Sequence, residues 1–375
     1  MTLSRGAIGN LVNRYRAVLR KCRMMNVFGS LAVAGMLVAG NAGFAGAEEL
    51  SGDIAPISLS GDTRNIIGVG DISLRSTEPA LRYLINVSGQ GQLDISMSNG
   101  SPMAVGNADG IYLKDYSEYD QYASAFHVAG SGSSGSFVGT GTFSMVGGGK
   151  LLGVCAFLSE SKGTLTLSGD ITGEAEAVMN GSNGYASFAA AAAGGNLVFG
   201  GDRTTLRAKA STGNNANGAF VKYGGMIDFA SKSVLIESKN TDSSSVGINC
   251  ADGTVKTSAD TDLDIVVEGN KATTGIQLTA SSSDVQLAGN LDLTATQTGQ
   301  DSFASVLGIS NDSGKMVVSG PTSLRLATNA PFDAKGITAS GKADMSFLGD
   351  VEIAVTGSAS GSALYTTYRY DYSTQ

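Results

Sequence analysis

The chain has 375 residues, of which 52 are Gly, 5 are Pro and none is Trp, and only 15% are charged. Its length suits one large domain or two ordinary ones. An apolar content of 42% exceeds that of simple disordered chains, and Gly without a strict three-residue period excludes collagen.

The charge is divided between two regions. Residues 1–47 contain six basic residues and no acidic residue, which leaves 19 of the 25 basic residues with all 33 acidic ones, a net of −14. An acidic body argues against nucleic acid as a partner, because phosphate binding requires a basic surface. With one His and three unrelated Cys, the sequence predicts no metal site and no cofactor.

The N-terminus has the three parts of an export signal. A basic part includes NRYRAVLRKCR, residues 13–23, an apolar part covers residues 24–40, and a small-residue part ends in AGA. We therefore predict that residues 1–47 are an extended signal peptide, cleaved after Ala47. No later stretch is long and apolar enough to predict a membrane-spanning helix.

An internal repeat runs through the second half of the chain, and its clearest copies span residues 218–360. A Gly followed by an apolar residue recurs with spacings of 29, 28, 33 and 28 residues, at Gly218, Gly247, Gly275, Gly308 and Gly336. Aliphatic pairs keep step at 16 and 18 positions downstream of four of these glycines: Val234 and Ile236, Leu263 and Ile265, Leu291 and Leu293, Leu324 and Leu326. A middle pair lies between them in later copies: Val285 and Leu287, Met316 and Val318, Met345 and Phe347.

Each repeat has three short segments of alternating apolar and polar residues, separated by turns rich in Gly, Ser, Asp and Asn. Repeats of this length favour an all-β solenoid of stacked coils. About ten coils at about 4.8 Å each would form a rod near 50 Å long. We expect the Gly of each Gly-Ile pair to permit a positive φ or a tight corner.

Weaker copies precede the clear ones. Gly153-Val154 and Gly184-Tyr185 fit the pattern, and Gly110-Ile111 lies 43 residues before Gly153. The coil that begins at Gly110 is therefore expected to hold about ten extra residues compared with the repeat length.

An export leader followed by low-charge Gly/Ser/Thr/Asp-rich β-repeats resembles the passenger region of a bacterial autotransporter. The stretch NRYRAVLRK, residues 13–21, is also similar to the extended signal peptides of those proteins, although their usual Trp is absent. The resemblance implies that residues 48–375 form a right-handed parallel β-helix. Autotransporters end in a membrane barrel, which the final residues ALYTTYRYDYSTQ do not resemble. Either the chain is a fragment, or its translocator barrel is a separate polypeptide, or the β-helix is secreted alone.

The densest aromatic segment is the candidate binding loop. Tyr112, Tyr116, Tyr119 and Tyr122 have helix-like spacing within the long coil. Loops on a rigid scaffold often carry recognition, and Tyr suits contact surfaces. The alternative is that this segment only covers an edge of the core.

Two further patterns are more simply explained as turns. NDSGK, residues 311–315, resembles the nucleophile region of serine-protease autotransporters, with His127 upstream, but Asn, Asp, Ser and Gly are also typical turn residues. Gly-Asp pairs suggest turn capping or a weak Ca²⁺ site, at Asp53, Asp62, Asp71, Asp170, Asp202 and Asp350.

Cys155 and Cys250 lie three repeats apart, about 14 Å, so we predict that they form no disulfide.

The favoured function is non-enzymatic: a protein displayed on or released from a Gram-negative cell surface, with adhesion as the role the resemblance implies. Its expected partner is a host-surface or cell-surface protein or glycan. The alternative is a polysaccharide lyase or hydrolase, which would need clustered Asp, Arg or Lys in one groove. The few, mostly isolated Arg residues of the body argue against this enzyme.

Overall fold

The chain folds as a right-handed parallel β-helix, as the sequence predicted. The computed structural model describes residues 47–78, 81–98, 100–107, 122–147, 153–178, 186–211, 215–300, 305–329, 334–357 and 361–367. Among these residues there are strands and turns but no helix. Residues 1–46, which hold almost all of the predicted leader, lie outside the described residues.

Twenty-eight strands are described. The first nine are β1 (Glu48–Asp53), β2 (Ile57–Ser60), β3 (Thr63–Ser76), β4 (Tyr83–Ser88), β5 (Gln92–Met97), β6 (Pro102–Asn107), β7 (Tyr122–Ala129), β8 (Ser134–Gly147) and β9 (Gly153–Glu160). The next nine are β10 (Thr164–Ala177), β11 (Ala186–Ala193), β12 (Asn196–Ala210), β13 (Asn215–Lys222), β14 (Gly225–Phe229), β15 (Ser233–Asn240), β16 (Ser245–Cys250), β17 (Gly253–Thr257) and β18 (Asp262–Gly269). The last ten are β19 (Ala272–Leu278), β20 (Ser283–Leu287), β21 (Asn290–Gln297), β22 (Ser305–Asn311), β23 (Lys315–Val318), β24 (Thr322–Thr328), β25 (Ala334–Ser340), β26 (Asp344–Phe347), β27 (Val351–Thr356) and β28 (Gly361–Thr367).

Each coil runs along three faces, and in the later coils it contributes one strand to each of them. The first face is a sheet of eleven parallel strands, β2-β4-β7-β9-β11-β13-β16-β19-β22-β25-β28, and is therefore about ten coil spacings long. The second and third faces together form the 17-stranded sheet. The second face includes β14, β17, β20, β23 and β26, and the third includes β15, β18, β21, β24 and β27. In the earlier coils, β3, β8, β10 and β12 are single strands that bend from the second face to the third.

The predicted inward columns are present. Ile248, Ile276, Ile309 and Ile337 are consecutive partners on the first face. The middle pairs also match, because Val285 pairs with Met316 and Met316 pairs with Met345. Stacking of equivalent coils therefore places like side chains above one another in a continuous core.

One predicted alignment is wrong by two residues. Leu324 pairs with Leu293 rather than with Leu291, and Leu326 pairs with Ala295. The cause is a shorter turn in the later coil. Leu278 pairs with Asn311, and Asp284 pairs with Lys315. The first coil therefore has six residue steps between these two pairs and the next coil has four. Every later residue of that coil is displaced by the same amount.

The repeated glycines lie inside first-face strands rather than at corners, and none has a φ in the left-handed region. This part of the prediction is wrong. The reason for Gly is instead steric, because a Cβ added to Gly247 would lie 2.4 Å from Cγ2 of Ile265 and 2.5 Å from the carbonyl oxygen of Gly275. Gly247 and Ile248 are both buried, so the inward-outward alternation of the strand changes phase between them. We call Gly218, Gly247, Gly275, Gly308 and Gly336 the glycine column.

In earlier coils, Ala occupies the same column. Ser124 pairs with Cys155 and Phe126 with Phe157, which places Ala125 beside Ala156. In this coil Ala156 stands where later coils have Gly, so the sequence has no Gly-Ile pair at the equivalent position. The start predicted at Gly153 is therefore three residues early. The starts predicted at Gly110 and Gly184 lie outside the described residues.

Aromatic rings fill the core of the earlier coils, where Ala replaces larger residues on the first face. Phe143, Phe157, Phe199 and Phe229 form a chain of contacts with ring centroids 5.1, 5.6 and 5.4 Å apart. Later coils use Ile, Leu and Val instead. The interior thus changes composition along the rod while the backbone repeat is kept.

Candidate functional surfaces

A second hydrophobic cluster lies on the outer side of the first face. Cys155 and Leu158 point away from the core, opposite to their neighbours Ala156 and Phe157, yet all four are buried. We call this group the outer aromatic cluster, and it contains Tyr83, Tyr122, Cys155, Leu158, Phe188, Ala191 and Phe220. Its rings are in contact: the centroids of Phe188 and Phe220 are 4.7 Å apart, stacked, and those of Tyr122 and Phe188 are 6.0 Å apart, edge to face.

Tyr122 is the one member of the predicted binding loop that the structure describes. Tyr112, Tyr116 and Tyr119 lie outside the described residues. Tyr122 begins strand β7, and burial raises the pKa of its phenol well above the usual range. Its side chain belongs to the outer aromatic cluster, which brings it close to residues about one hundred positions later in the chain.

Lys222 lies at the edge of this cluster, among three rings. Its Nζ is 5.2 Å from the ring centroid of Tyr122, 5.6 Å from that of Phe220 and 4.4 Å from that of Tyr223. Within the described part of the chain, Lys222 forms no ion pair with a carboxylate. Cation–π attraction to these rings therefore holds the Lys222 ammonium group, and no described carboxylate forms an ion pair with it.

Tyr223 occupies a strained position in the turn after β13. Its φ is 57° and that of Gly224 is 71°, the pattern of a two-residue turn that suits Gly and Asn. A bulky residue with positive φ costs about 1–3 kcal/mol. Burial does not offset this cost, because Tyr223 is 70% exposed.

His127, the chain's one histidine, is buried against the same face. Its ring stacks on Tyr83 at 4.0 Å, Nδ1 lies 2.8 Å from Oδ1 of Asn86, and Nε2 lies 3.0 Å from Oε2 of Glu160. Burial raises the pKa of the Tyr83 phenol to about 12, and Arg82 opposes this shift. These contacts link β4, β7 and β9, so His127 joins three successive coils.

The structure does not bring His127 near Ser313. Strands β7 and β22 are six positions apart in the first face, about 29 Å along the rod at about 4.8 Å per strand. Ser313 lies in the turn between β22 and β23. Asn311 closes that turn through its side chain, with Nδ2 donating to the Gly314 carbonyl at 2.9 Å and Oδ1 accepting from the Gly314 amide at 2.7 Å. The interpretation of NDSGK as a turn is confirmed.

An acidic groove of about 540 Å³ lies on the third face of the later coils. Its described lining residues include five carboxylates, on Asp262, Asp264, Asp292, Asp350 and Glu352, and no Lys, Arg or His. Burial and then the charges of Asp292 and Asp262 raise the pKa of the Asp264 carboxyl. Arg325 approaches from the rim, with Nη1 at 2.6 Å from Oδ1 of Asp292.

The Gly-Asp pairs do not converge. Asp71, Asp170 and Asp202 lie inside long strands rather than in turns, and Gly169 and Gly201 take the positive φ needed where the strand bends. The Asp202 carboxylate pairs with Lys232 at 2.6 Å, and this hydrogen bond lowers its pKa. Among the described residues, no three His, Cys, Asp or Glu side chains are grouped so as to hold a metal ion.

Both described cysteines are free and buried, which confirms the prediction that they are not joined. Burial raises the pKa of each thiol. Both effects disfavour the thiolate, which is the reactive form of cysteine.

No family model, curated protein or solved structure matches this chain. Within the described ranges, no helix has the length and apolarity to cross a bilayer. The surfaces described above are therefore the basis for considering function.

The sequence contained a signal for the outer aromatic cluster. Three first-face strands lack alternation: YASAFHV in β7, GVCAFLS in β9 and SFAAAAA in β11. A strand that is apolar at every position is buried on both sides. Which distant residues would meet there depends on the register, which the sequence pattern had misplaced for these coils.

Proposed function

We propose that this chain is an exported, non-enzymatic β-helix, similar to an autotransporter passenger, that is displayed on or released from a Gram-negative cell surface and serves in adhesion. The observation that supports this most directly is the parallel solenoid of low-charge coils that follows a predicted export leader. Such a rod is stabilised mainly by contacts between neighbouring coils, and it presents long side faces on which a partner can bind.

The proposal is tested by expressing the full chain in a Gram-negative bacterium. Mass spectrometry should find Glu48 at the mature N-terminus. The mature protein should be present in the medium, or it should be degraded when protease is added to intact cells. A Leu37→Arg variant interrupts the apolar part of the leader and should leave uncleaved chain inside the cell. Retention of the unaltered chain in the cytoplasm would contradict the proposal.

Adhesion itself needs a separate measurement. Cells that display the chain should attach to a host-cell layer or to one another more strongly than cells carrying the Leu37→Arg variant. Equal attachment of the two kinds of cell at equal expression would contradict the adhesion part of the proposal and leave the export part standing.

The acidic groove favours a second candidate, a polysaccharide hydrolase. Asp264 and Asp292 are partners on adjacent strands, and the raised pKa of Asp264 is the property expected of a general acid. The absence of Lys, Arg and His from the groove lining weighs against a lyase. The test is hydrolysis of a panel of polysaccharides. Activity that is abolished by Asp264→Asn and by Asp292→Asn, but kept in Asp202→Asn, would favour this candidate.

A further inference from the structure

We propose that the outer side of the first face binds an acidic glycan, at a site centred on Lys222 and Tyr223. This inference deepens the proposed function and rests on it, because it names the partner class of a surface-binding protein. Three observations carry it: the charge of Lys222, the position of Tyr223, and the acidity of the rest of the molecule.

Lys222 supplies the first requirement, a cation able to accept an anionic partner. Several other basic side chains on the outside of the rod pair with carboxylates of neighbouring coils, for example Lys239 with Glu268 at 2.9 Å and Lys256 with Asp228 at 2.9 Å. Lys222 has aromatic contacts instead and no such carboxylate among the described residues. Ring faces position the ammonium group without neutralising it.

Tyr223 supplies the second requirement, an exposed ring beside that cation. The position equivalent to Tyr223 in the two preceding coils carries a small residue at positive φ, Ser161 at 50° and Gly194 at 74°. Tyr223 has the same backbone strain but exposes an aromatic ring, 70% accessible, next to Lys222. A strained aromatic residue that the core does not use is well explained as a contact residue for a ligand.

The combination fits an acidic sugar. The C–H face of a sugar ring packs on an aromatic ring, and its carboxylate or sulfate pairs with an ammonium group. The body of the chain carries a net charge of −14, so it repels anions over most of its surface. Binding of a polyanion would therefore depend on this site rather than on general charge attraction.

Binding is tested on protein purified after expression of the full chain. The probes are hyaluronan oligosaccharides, which carry carboxylates, and heparin oligosaccharides, which carry sulfates, and they distinguish the two sources of negative charge. Dextran is the neutral comparison, and poly-glutamate is the acidic peptide comparison. We expect at least one acidic glycan to bind measurably, and both dextran and poly-glutamate to bind at least about tenfold more weakly.

The key variant is Tyr223→Asn, because Asn tolerates positive φ and the fold should not be weakened. We expect it to reduce acidic glycan binding about tenfold, with an unfolding midpoint equal to or above that of the unaltered chain. Lys222→Gln should weaken binding to a similar degree. Lys162→Gln, which removes an exposed cation from the equivalent turn, should change binding less than about twofold.

Three outcomes would overturn the inference: neither acidic glycan binds, poly-glutamate binds as tightly as the glycans, or Tyr223→Asn and Lys162→Gln have equal effects. If these occur while surface display and adhesion persist, the proposed function stands and the glycan assignment fails. If export itself fails, the binding result still describes what the purified chain recognises.

Discussion

The carbonyl oxygen of Gly275 lies 2.5 Å from the position that a Cβ on Gly247 would occupy. The same contact recurs between Gly275 and Gly308, at 2.5 Å, and between Gly308 and Gly336, at 2.4 Å. In these later coils, each backbone therefore approaches the next at a position that leaves no room for a side chain.

The first prediction concerns this column. Gly247→Ala should destabilise the chain by about 1–3 kcal/mol, because the added methyl group meets backbone that cannot move without shifting a strand. Urea unfolding followed by circular dichroism measures the change. Gly200→Ala is the control, since its nearest neighbour is Oγ of Ser168 at 3.7 Å, and it should shift stability by less than about 0.5 kcal/mol. Equal effects of the two variants would contradict the steric explanation.

The second prediction concerns Asp264. Its carboxyl has a raised pKa in the folded chain, so it binds a proton more tightly when folded, and its contribution to stability is largest at low pH and lost as the pH rises through that pKa. Asp264→Asn should therefore raise the urea midpoint slightly at pH 7 and leave it unchanged at pH 3. Asp202→Asn should do the opposite at pH 7, because the pKa of Asp202 is lowered by Lys232. A lower midpoint for Asp264→Asn at pH 7 would contradict the conclusion that burial and the neighbouring carboxylates disfavour the charged form of Asp264.

The third prediction separates a turn from a nucleophile at residues 311–315. Asn311→Ala should cost about 1–3 kcal/mol, because it removes two hydrogen bonds from a buried side chain. Ser313→Ala should cost less than about 0.5 kcal/mol and should change no hydrolytic activity. Loss of proteolysis in Ser313→Ala would revive the protease interpretation.

The fourth prediction concerns the two buried thiols. Under native conditions Cys155 and Cys250 should react with a chromogenic thiol reagent far more slowly than a free peptide cysteine, because burial raises both pKa values and blocks access. After unfolding, the exported chain should give two thiols. A count of zero under non-reducing conditions would mean that the coil register described here is wrong.

The sequence predicted the fold where the repeat uses matching residues. Ile248, Ile276, Ile309 and Ile337 carry an inward column that could be counted directly from the spacing. The counting failed at Leu324, where a turn is two residues shorter, and at Ala156, where a methyl group replaces the marker glycine. Both failures are local changes in length or size that leave the stacking unchanged.

The candidate surfaces were less accessible to sequence reasoning. Tyr122 was identified by its aromatic neighbours in sequence, but its neighbours in space, Phe188 and Lys222, come from other coils. The acidic groove likewise combines Asp264 and Asp292 with Asp350 from later coils. A side face of a solenoid is assembled across coils, so an error of two or three residues in the register is enough to hide it.

The glycine column also bears on how such a chain can change over time. A substitution within one coil must be accommodated by the coils on both sides, whereas loss or duplication of a complete coil joins equivalent edges and leaves every remaining contact in place. The rod is therefore free to vary in length while its cross-section stays nearly fixed.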